Sequence, residues 1–255
     1  MTEVRYDTFP LDRNYRTGAV AMWRYMMNKE DSVQAFKYFD AVCGPQMERN
    51  FKIYAESPEG KKRIEKDFNL IEVLSDDARL SALPPNTLGN VYYRFMKAEG
   101  LSAKGLYDIE VEANIRTLHL EPHRKEFMRT SFQLHDMIHV VGGYGRDFVG
   151  EGCNFAFAGV QLGLASGRAM GWAVGIKEKT VYPKLPVLAC IREAEKRSQK
   201  AKWIMDKDWD AYLEMDIEDV RADLNLDPPH IYNAHKETFG KVDAYRRDKL
   251  MTGMA

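Results

Sequence analysis

Cysteine is scarce in this 255-residue sequence, which contains only Cys43, Cys153 and Cys190. These cysteines lie far apart and form no CxxC pair, which argues against a disulfide framework and favours a reducing, intracellular compartment. Excess charge is also lacking, because 37 Lys and Arg against 38 Asp and Glu leave a formal net charge of −1. Such a chain has no general attraction to phosphate backbones, so nucleic acid is not an expected partner.

Long apolar runs and targeting signals are missing as well. The most apolar window, residues 152–176, is interrupted by polar residues and six glycines, and falls short of the about 20 apolar residues that cross a bilayer. The N-terminal MTEVRYDTFPLDRNYR has no apolar core and no Arg/Ser-rich amphipathic pattern. We therefore expect a cytoplasmic protein without a signal or transit peptide, whose membrane contact, if any, is peripheral on the inner face.

Strand signals are few, whereas helical spacing of apolar residues recurs along the chain. Helices are predicted after Asp31 or Ser32, from Pro58, and from a cap at Asn86 or Thr87 to about residue 98. The sequence therefore predicts an all-α helical bundle that forms a single domain over residues 1–255. Residues 231–255 lack sustained periodicity and are predicted to be a weakly docked tail.

The stretch FQLHDMIHVVGGYGRDFVGEG, residues 132–152, combines candidate metal ligands with a glycine-rich break. On a helix, His135 and His139 lie one turn apart, and Asp136 falls within the same arc of roughly 100°. The i, i+4 histidine pair is the spacing of helical zinc sites, because side chains one turn apart can converge on one ion. These three residues are therefore candidate ligands on one helix face.

The fourth candidate ligand, Glu151, follows a predicted reversal of the chain. Residues 142–145, GGYG, should end the first helix, because glycine adopts left-handed backbone at low cost, and Asp147 suits the cap of the next helix. In an antiparallel helix pair, a rise of about 1.5 Å per residue brings Glu151 to the depth of His139. The set suits a divalent metal: Zn²⁺, Fe²⁺ or Mn²⁺.

A purely structural role also fits these residues, as buried imidazoles, a local His–Asp pair and a glutamate that the helix dipole favours. His119 and His123 form a second i, i+4 pair, but Pro122 between them argues against one continuous helix. The first site therefore remains the stronger candidate.

An apolar pocket is predicted beside the metal site. Its walls are the residues that share the helix faces of the ligands: Met128, Phe132, Phe155, Ala158 and Leu162. Glycine recurs at every fourth residue from Gly159 to Gly175, at a cost of about 0.5 to 1 kcal/mol each relative to alanine. Close helix packing and space for a ligand both explain this series.

With these residues in place, the sequence resembles the ubiquinone-biosynthesis family called coenzyme Q biosynthesis protein four. The family signature is HDxxH followed after eleven residues by Glu, which here is His135, Asp136, His139 and Glu151. Further segments look like family landmarks in the same order: NKEDSVQAF, SPEGKK, LPPNTLGNVYYRFM with GLSAKGL, and KDWDAYLEMDIEDVRADLNLDPP. The resemblance covers residues 18–230.

The resemblance implies an all-helical fold, a divalent metal, usually zinc, on the four signature residues, and a hydrophobic cavity for a polyprenyl chain. It implies oxidative replacement of the C1 carboxylate of a polyprenylated 4-hydroxybenzoate by hydroxyl. The alternative that it implies is a non-catalytic, lipid-binding scaffold that organises a quinone-biosynthesis complex. Expected partners are a polyprenylated aromatic or isoprenoid lipid, other quinone-biosynthesis enzymes and a second copy of the chain.

The sequence departs from the family pattern after Glu151. Charged residues are implied one and two turns further on, where Phe155 and Ala158 stand, whereas Gln161 keeps the family position and is added to the predicted pocket lining. Two other enzyme classes fit less well. A His-Asp phosphohydrolase needs a separate upstream histidine and a distant aspartate, and a zinc peptidase needs a longer general base than Asp136.

Overall fold

The computed structural model describes residues 6–66 and 68–252, which form helices joined by short connections. Within these residues, β-type pairing is limited to isolated bridges, Tyr6 with Leu120 and Thr87 with Asp216, so the all-α prediction is confirmed. Residues 1–5 and 253–255, which belong to the predicted N-terminal start and C-terminal tail, lie outside the described residues. The α-helices are α1 Tyr15–Met27, α2 Ser32–Val42, α3 Gly44–Glu56, α4 Pro58–Lys66, α5 Leu70–Leu74, α6 Asp77–Ala82, α7 Leu88–Ala98, α8 Ala103–Ala113, α9 Pro122–Gly142, α10 Phe148–Gln161, α11 Ala165–Val181, α12 Val187–Lys200, α13 Trp209–Leu213, α14 Ile217–Asp223, α15 His230–Asn233 and α16 Lys236–Thr252.

Local capping signals fix where several helices begin. The Thr87 hydroxyl accepts a hydrogen bond from the Asn90 amide at 3.4 Å and caps α7. The Ser57 hydroxyl accepts one from the Gly60 amide at 3.1 Å at the start of α4, where Pro58 occupies the first helical position. These starts were predictable because cap and apolar stripe stand next to each other in the sequence.

The helix α10 lies at the centre of the site region. Eleven of its 14 residues are buried, and it packs against α9, α11 and α12. Two of its polar side chains, Glu151 and Asn154, are therefore held inside the protein, where each needs a polar partner. The helix α9 supplies these partners.

The glycine series brings the backbones of α10 and α11 into close contact. A Cβ on Gly159 would lie 2.4 Å from the Arg168 backbone nitrogen, and a Cβ on Gly171 would lie 2.6 Å from the Gly152 carbonyl oxygen. A methyl group at either position would overlap backbone atoms, which cannot move aside independently of the helix. Close helix packing therefore explains these members of the series.

The C-terminal segment, for which the sequence predicts a weakly docked tail, packs against the body of the protein within the residues that the structure describes. Tyr232 and Phe239 are fully buried in the main apolar core and stack at 5.9 Å between ring centroids. Tyr182 packs edge-on against Phe239, and Asp147 accepts a hydrogen bond from the Tyr232 hydroxyl. These partners lie far away in the chain, so local periodicity could not reveal them.

Replacing Gly171 with alanine should lower the free energy of unfolding by about 1 to 3 kcal/mol, because the added methyl group overpacks the contact between α10 and α11. Gly240 is the matched control: it also lies within a helix, but nothing stands within 4 Å of its Cβ position. Gly240→Ala should be neutral or stabilising by up to about 1 kcal/mol. Urea unfolding followed by circular dichroism measures both, and an equal effect of the two variants would contradict the packing argument.

Candidate metal centre

The reversal between α9 and α10 follows the predicted signals. Gly143 adopts left-handed backbone with φ 77°, and its amide donates to the His139 carbonyl, which ends α9. The Asp147 side chain accepts a hydrogen bond from the Gly150 amide at 2.9 Å and caps α10. The turn therefore places Glu151 in the first turn of α10, opposite the last turns of α9.

Three of the four predicted ligands converge across this turn. The Glu151 Oε2 atom lies 3.4 Å from His135 Nε2 and 3.5 Å from His139 Nε2. One ligand atom from each residue lies within 4.8 Å of the other two. Asn154, one turn after Glu151, donates to the His135 carbonyl at 2.9 Å, so the two helices run past each other in opposite directions. The predicted antiparallel geometry is therefore present at the site.

His139 is held in one orientation. Its Nδ1 lies 3.3 Å from the Tyr144 carbonyl oxygen, which can only accept, so Nδ1 is the donor in this contact and Nε2 is the nitrogen that faces Glu151. The ring stacks on Phe95 at 5.7 Å and is buried. Its Nε2 is a buried atom without a hydrogen-bond partner among the described residues. This is the arrangement of a metal-binding histidine, whose second nitrogen is fixed by a carbonyl group.

His135 faces the cavity that lies beside the site. Its side chain is 25% exposed and packs edge-on against His139 at 5.0 Å between centroids. Phe155 lies on its other side at 5.1 Å. One ligand is thus enclosed and the other borders open space, which leaves room for a ligand from outside the protein.

The histidines keep Glu151 ionised. Burial alone would raise the pKa of its carboxyl group, but the neighbouring His139 and His135 outweigh burial and hold that pKa well below its usual value. Burial also raises the pKa of Asp136, and the nearby histidines only partly offset this effect. The carboxylate between the two imidazoles is therefore the anionic member of the set.

Asp136 is not brought to the three converging residues. It follows His135 directly, so its side chain leaves α9 about 100° further round the helix. It is buried and borders the same cavity, and its charge adds to the effect of burial in raising the pKa of the Tyr92 hydroxyl. The structure thus separates the four signature residues into a triad and one neighbour. His119, in the short helix Arg116–His119, and His123, in α9, do not share a helix.

An arginine that the sequence did not reveal completes the polar end of the site. Arg146 lies in the turn between α9 and α10, and its Nε atom is 3.5 Å from Glu151 Oε1. Its other guanidinium nitrogens face Glu30 at 3.6 Å and Glu99 at 3.8 Å. In the sequence, Arg146 is distinguished only as a charged residue directly before the Asp147 cap. That feature is too weak to identify it as a site residue.

A cavity of about 260 Å³ opens from the triad and runs between α2, α8, α9 and α10. Five predicted lining residues border it: Met128, Phe132, Phe155, Ala158 and Leu162. Gln161 does not. Its amide donates to the Ser198 carbonyl at 2.9 Å and accepts from the Ile204 amide at 3.0 Å, so the side chain is used in packing α10 against distant segments. Gly159 and Gly167 also border the cavity, so both explanations of the glycine series apply at these positions.

The donor set fits a divalent metal ion. It offers two imidazole nitrogens and a carboxylate, a combination that suits zinc, iron or manganese. The Nε2 atom of His139 is buried, lies 3.5 Å from Glu151 Oε2 and has no hydrogen-bond partner among the described residues, so it is available as a ligand atom.

These features define an all-helical protein with a candidate metal centre at the head of an apolar cavity. The sequence profile described as coenzyme Q (ubiquinone) biosynthesis protein Coq4 matches residues 37–230, and the chain belongs to this family. The resemblance stated from the sequence is therefore confirmed.

Named relatives agree with this assignment. The chain is 27% identical over 222 residues to the mitochondrial ubiquinone biosynthesis protein COQ4 of Saccharomyces cerevisiae strain AWRI1631, covering 86% of this chain and 64% of that protein. It is 23% identical over 239 residues to the protein of the same name from Kluyveromyces lactis, covering 88% and 69%. A crystal structure of a Nostoc punctiforme protein described as a ubiquinone biosynthesis protein shares the fold, with TM-score 0.54, 18% identity, and coverage of 83% and 98%.

The predicted cytoplasmic location is wrong on this comparison. The yeast relatives are named as mitochondrial proteins, which conflicts with a cytoplasmic protein that lacks a transit peptide. The prediction rested on the absence of a targeting pattern from one short segment, and this chain spans only 64% of the length of the S. cerevisiae relative.

Metal content tests the triad. Protein dialysed against zinc, iron(II) or manganese and assayed by elemental analysis should bind one equivalent. His139→Ala and Glu151→Gln should weaken binding by more than the about 10- to 100-fold that loss of an outer partner costs. His123→Ala is the control, because this histidine lies on the same helix but is exposed and outside the triad. Asp136→Asn should retain metal, and a loss as large as that of Glu151→Gln would show four ligands instead of three.

Proposed function

We propose that this protein acts in coenzyme Q biosynthesis and replaces the C1 carboxylate of a polyprenylated 4-hydroxybenzoate-type compound by hydroxyl in a metal-dependent reaction. The observation that supports this most is the position of the triad at the polar end of an otherwise apolar cavity. A substrate with a polar ring and a long apolar chain matches both parts at once.

The cavity walls support a prenylated ligand. Phe36 and Phe39 of α2 face Phe132 of α9 and Phe155 of α10, and aromatic and aliphatic walls favour an apolar chain by removing its surface from water. Arg146, Lys29 and His135 border the other end. The ring of the substrate would therefore lie beside the triad, with its chain between α2 and α10.

The reaction breaks the bond between C1 and the carboxyl carbon and forms a bond from C1 to oxygen. Two ring acids and one dioxygen molecule give two phenols and two carbon dioxide molecules, so the ring acid is oxidised and dioxygen is reduced. His135, His139 and Glu151 would hold the ion, which when bound polarises the carboxylate or phenol, or activates oxygen if it is iron. His139 and Glu151 are buried, so water has little access to these two ligands.

A lipid-binding scaffold is the second candidate. It is favoured by Phe155 and Ala158, which face the cavity beyond Glu151 and cannot move a proton. Such a protein would bind quinone precursors in the same cavity and present them to other quinone-biosynthesis enzymes.

Turnover separates the two candidates. Purified protein loaded with iron, zinc or manganese should convert a farnesylated 4-hydroxybenzoate in air to the corresponding phenol with release of carbon dioxide, followed by liquid chromatography and mass spectrometry. The turnover rate should fall at least about 100-fold in His139→Ala and in Glu151→Gln, as expected when a group that stabilises the transition state is removed. The rate of His123→Ala should stay at the wild-type value. If the protein binds the ligand but none of its metal-loaded forms converts it, the lipid-binding scaffold is supported and the proposed enzyme activity is refuted.

We also propose that α1 makes a peripheral contact with an anionic bilayer. None of the helices in the described residues is both long and apolar enough to span a membrane. On α1, Val20, Trp23 and Met27 are 45%, 59% and 61% exposed and share one face. Arg16 and Arg24 lie on the same helix, which has no acidic residue. An exposed apolar stripe with basic flanks is the pattern of an interfacial helix.

The same helix borders the cavity through Tyr25. A bilayer on the outer face of α1 would therefore lie close to the cavity and could supply it with prenylated lipid. Vesicles of phosphatidylcholine with about 30% phosphatidylglycerol should co-sediment with the protein, in line with the electrostatic attraction of basic helices. The Trp23→Ser, Met27→Ser double variant should bind at least about 10-fold more weakly. Ile53→Ser, which removes an exposed apolar residue from α3, should bind normally. Equal sedimentation of all three proteins would refute the contact, as would dimerisation through α1 without vesicle binding.

A further inference from the structure

Arg146 is an enclosed guanidinium whose donors are not used. Its side chain is 12% exposed, and its three carboxylate neighbours lie at 3.5 Å, 3.6 Å and 3.8 Å. Charge-assisted hydrogen bonds between nitrogen and oxygen are about 2.7 to 2.9 Å long, so none of these contacts is one. Arg146 is therefore neutralised at a distance while its N–H groups remain available.

Two other enclosed arginines of this protein donate hydrogen bonds to protein groups. Arg124 donates to Glu48 at 2.7 Å and 2.8 Å and to Glu121 at 2.9 Å. Arg197 donates to the Asp227 carbonyl at 2.7 Å and to the Tyr144 hydroxyl. Arg146 differs from these two side chains, because each of its contacts with a carboxylate is 3.5 Å or longer.

The open donors border the cavity. Arg146 lines the polar end of the cavity beside Glu151, and Lys29 lines it as well. The Lys29 ammonium group already contacts Glu30 at 2.7 Å and Asp243 at 3.4 Å. Lys29 thus makes one short contact with a carboxylate, whereas every carboxylate contact of Arg146 is 3.5 Å or longer.

The surrounding carboxylates do not prevent anion binding. Glu30 and Glu99 are 38% and 24% exposed, so water screens their charge. The third carboxylate, Glu151, directs its other oxygen to the two histidines, which share its charge. The planar fork of a guanidinium fits a carboxylate through two parallel hydrogen bonds, which a point charge or a neutral partner cannot reproduce.

We propose that Arg146 is a specificity-determining residue that binds the ring carboxylate of the prenylated ligand and orients its C1 carbon toward the triad. This inference rests on the proposed function, because it takes its ligand from there. It adds that the chain distinguishes an acid from its neutral analogue by one side chain in the turn between α9 and α10.

Equilibrium binding tests the proposal without turnover. The carboxamide of a farnesylated 4-hydroxybenzoate has the shape of the acid but is neutral and carries an NH2 group in place of one acceptor oxygen. The dissociation constants of both compounds are measured by isothermal titration with metal-free and zinc-loaded protein. The wild-type protein should bind the acid about 10- to 100-fold more tightly than the amide. In Arg146→Met this ratio should fall below about 3-fold, with affinity for the amide unchanged. Arg146→Lys should keep part of the preference, because charge remains but the fork is lost.

Arg94→Met, a loss of an exposed arginine remote from the cavity lining, is the matched control and should keep the wild-type ratio. Thermal unfolding identifies a variant that fails to fold, and in that event Arg146→Lys alone carries the test through its reduced ratio. An unchanged ratio in Arg146→Met, or equal binding of acid and amide by the wild-type protein, would overturn the proposal. Acid preference without conversion would leave it standing and refute the proposed reaction. Failure to bind either compound would refute both.

Discussion

The contact on which the site depends is the buried carboxylate of Glu151 between two imidazoles. An ionised group in a protein interior is costly unless its partners are held close, and here His135 and His139 come from the last turns of one helix while the carboxylate comes from the first turn of the next. The turn between the helices must therefore place Glu151 within reach of both histidines. Gly143 supplies the left-handed residue, Tyr144 supplies the carbonyl that orients His139, and Asp147 starts α10 at the register that presents Glu151 inward.

The two sides of α10 divide the remaining tasks. Toward α11 its glycines permit backbone contact, which fixes the helix against a rigid support. Toward α2 and α9 it presents Glu151, Phe155 and Ala158 to the cavity. A helix that was free to shift would change the distance between Glu151 and the histidines, so the tight packing on one side maintains the geometry on the other.

Much of this arrangement could be predicted from local sequence because local geometry determines it. The spacing of His135 and His139 on one helix, the glycine break and the Asp147 cap are all properties of adjacent residues, and together they predicted the triad. Asp136 lies next to His135 and yet leaves the helix in another direction, which the broad arc assumed from sequence could not distinguish. Arg146 faces Glu30 and Glu99 from distant segments, and Gln161 bonds to Ser198 and Ile204, so only the tertiary fold could place either side chain.

The ion pair between Lys29 and Asp243 joins the beginning and the end of the chain at the cavity. Lys29 follows α1 and borders the polar end of the cavity, while Asp243 lies on the last helix, beyond the residues that match the family profile. Both side chains are buried, so their charges are only weakly screened by water. The last helix is thus linked electrostatically to the cavity. A displacement of α16 would change the balance of charge at the polar end of the cavity, although none of the described residues of α16 borders it.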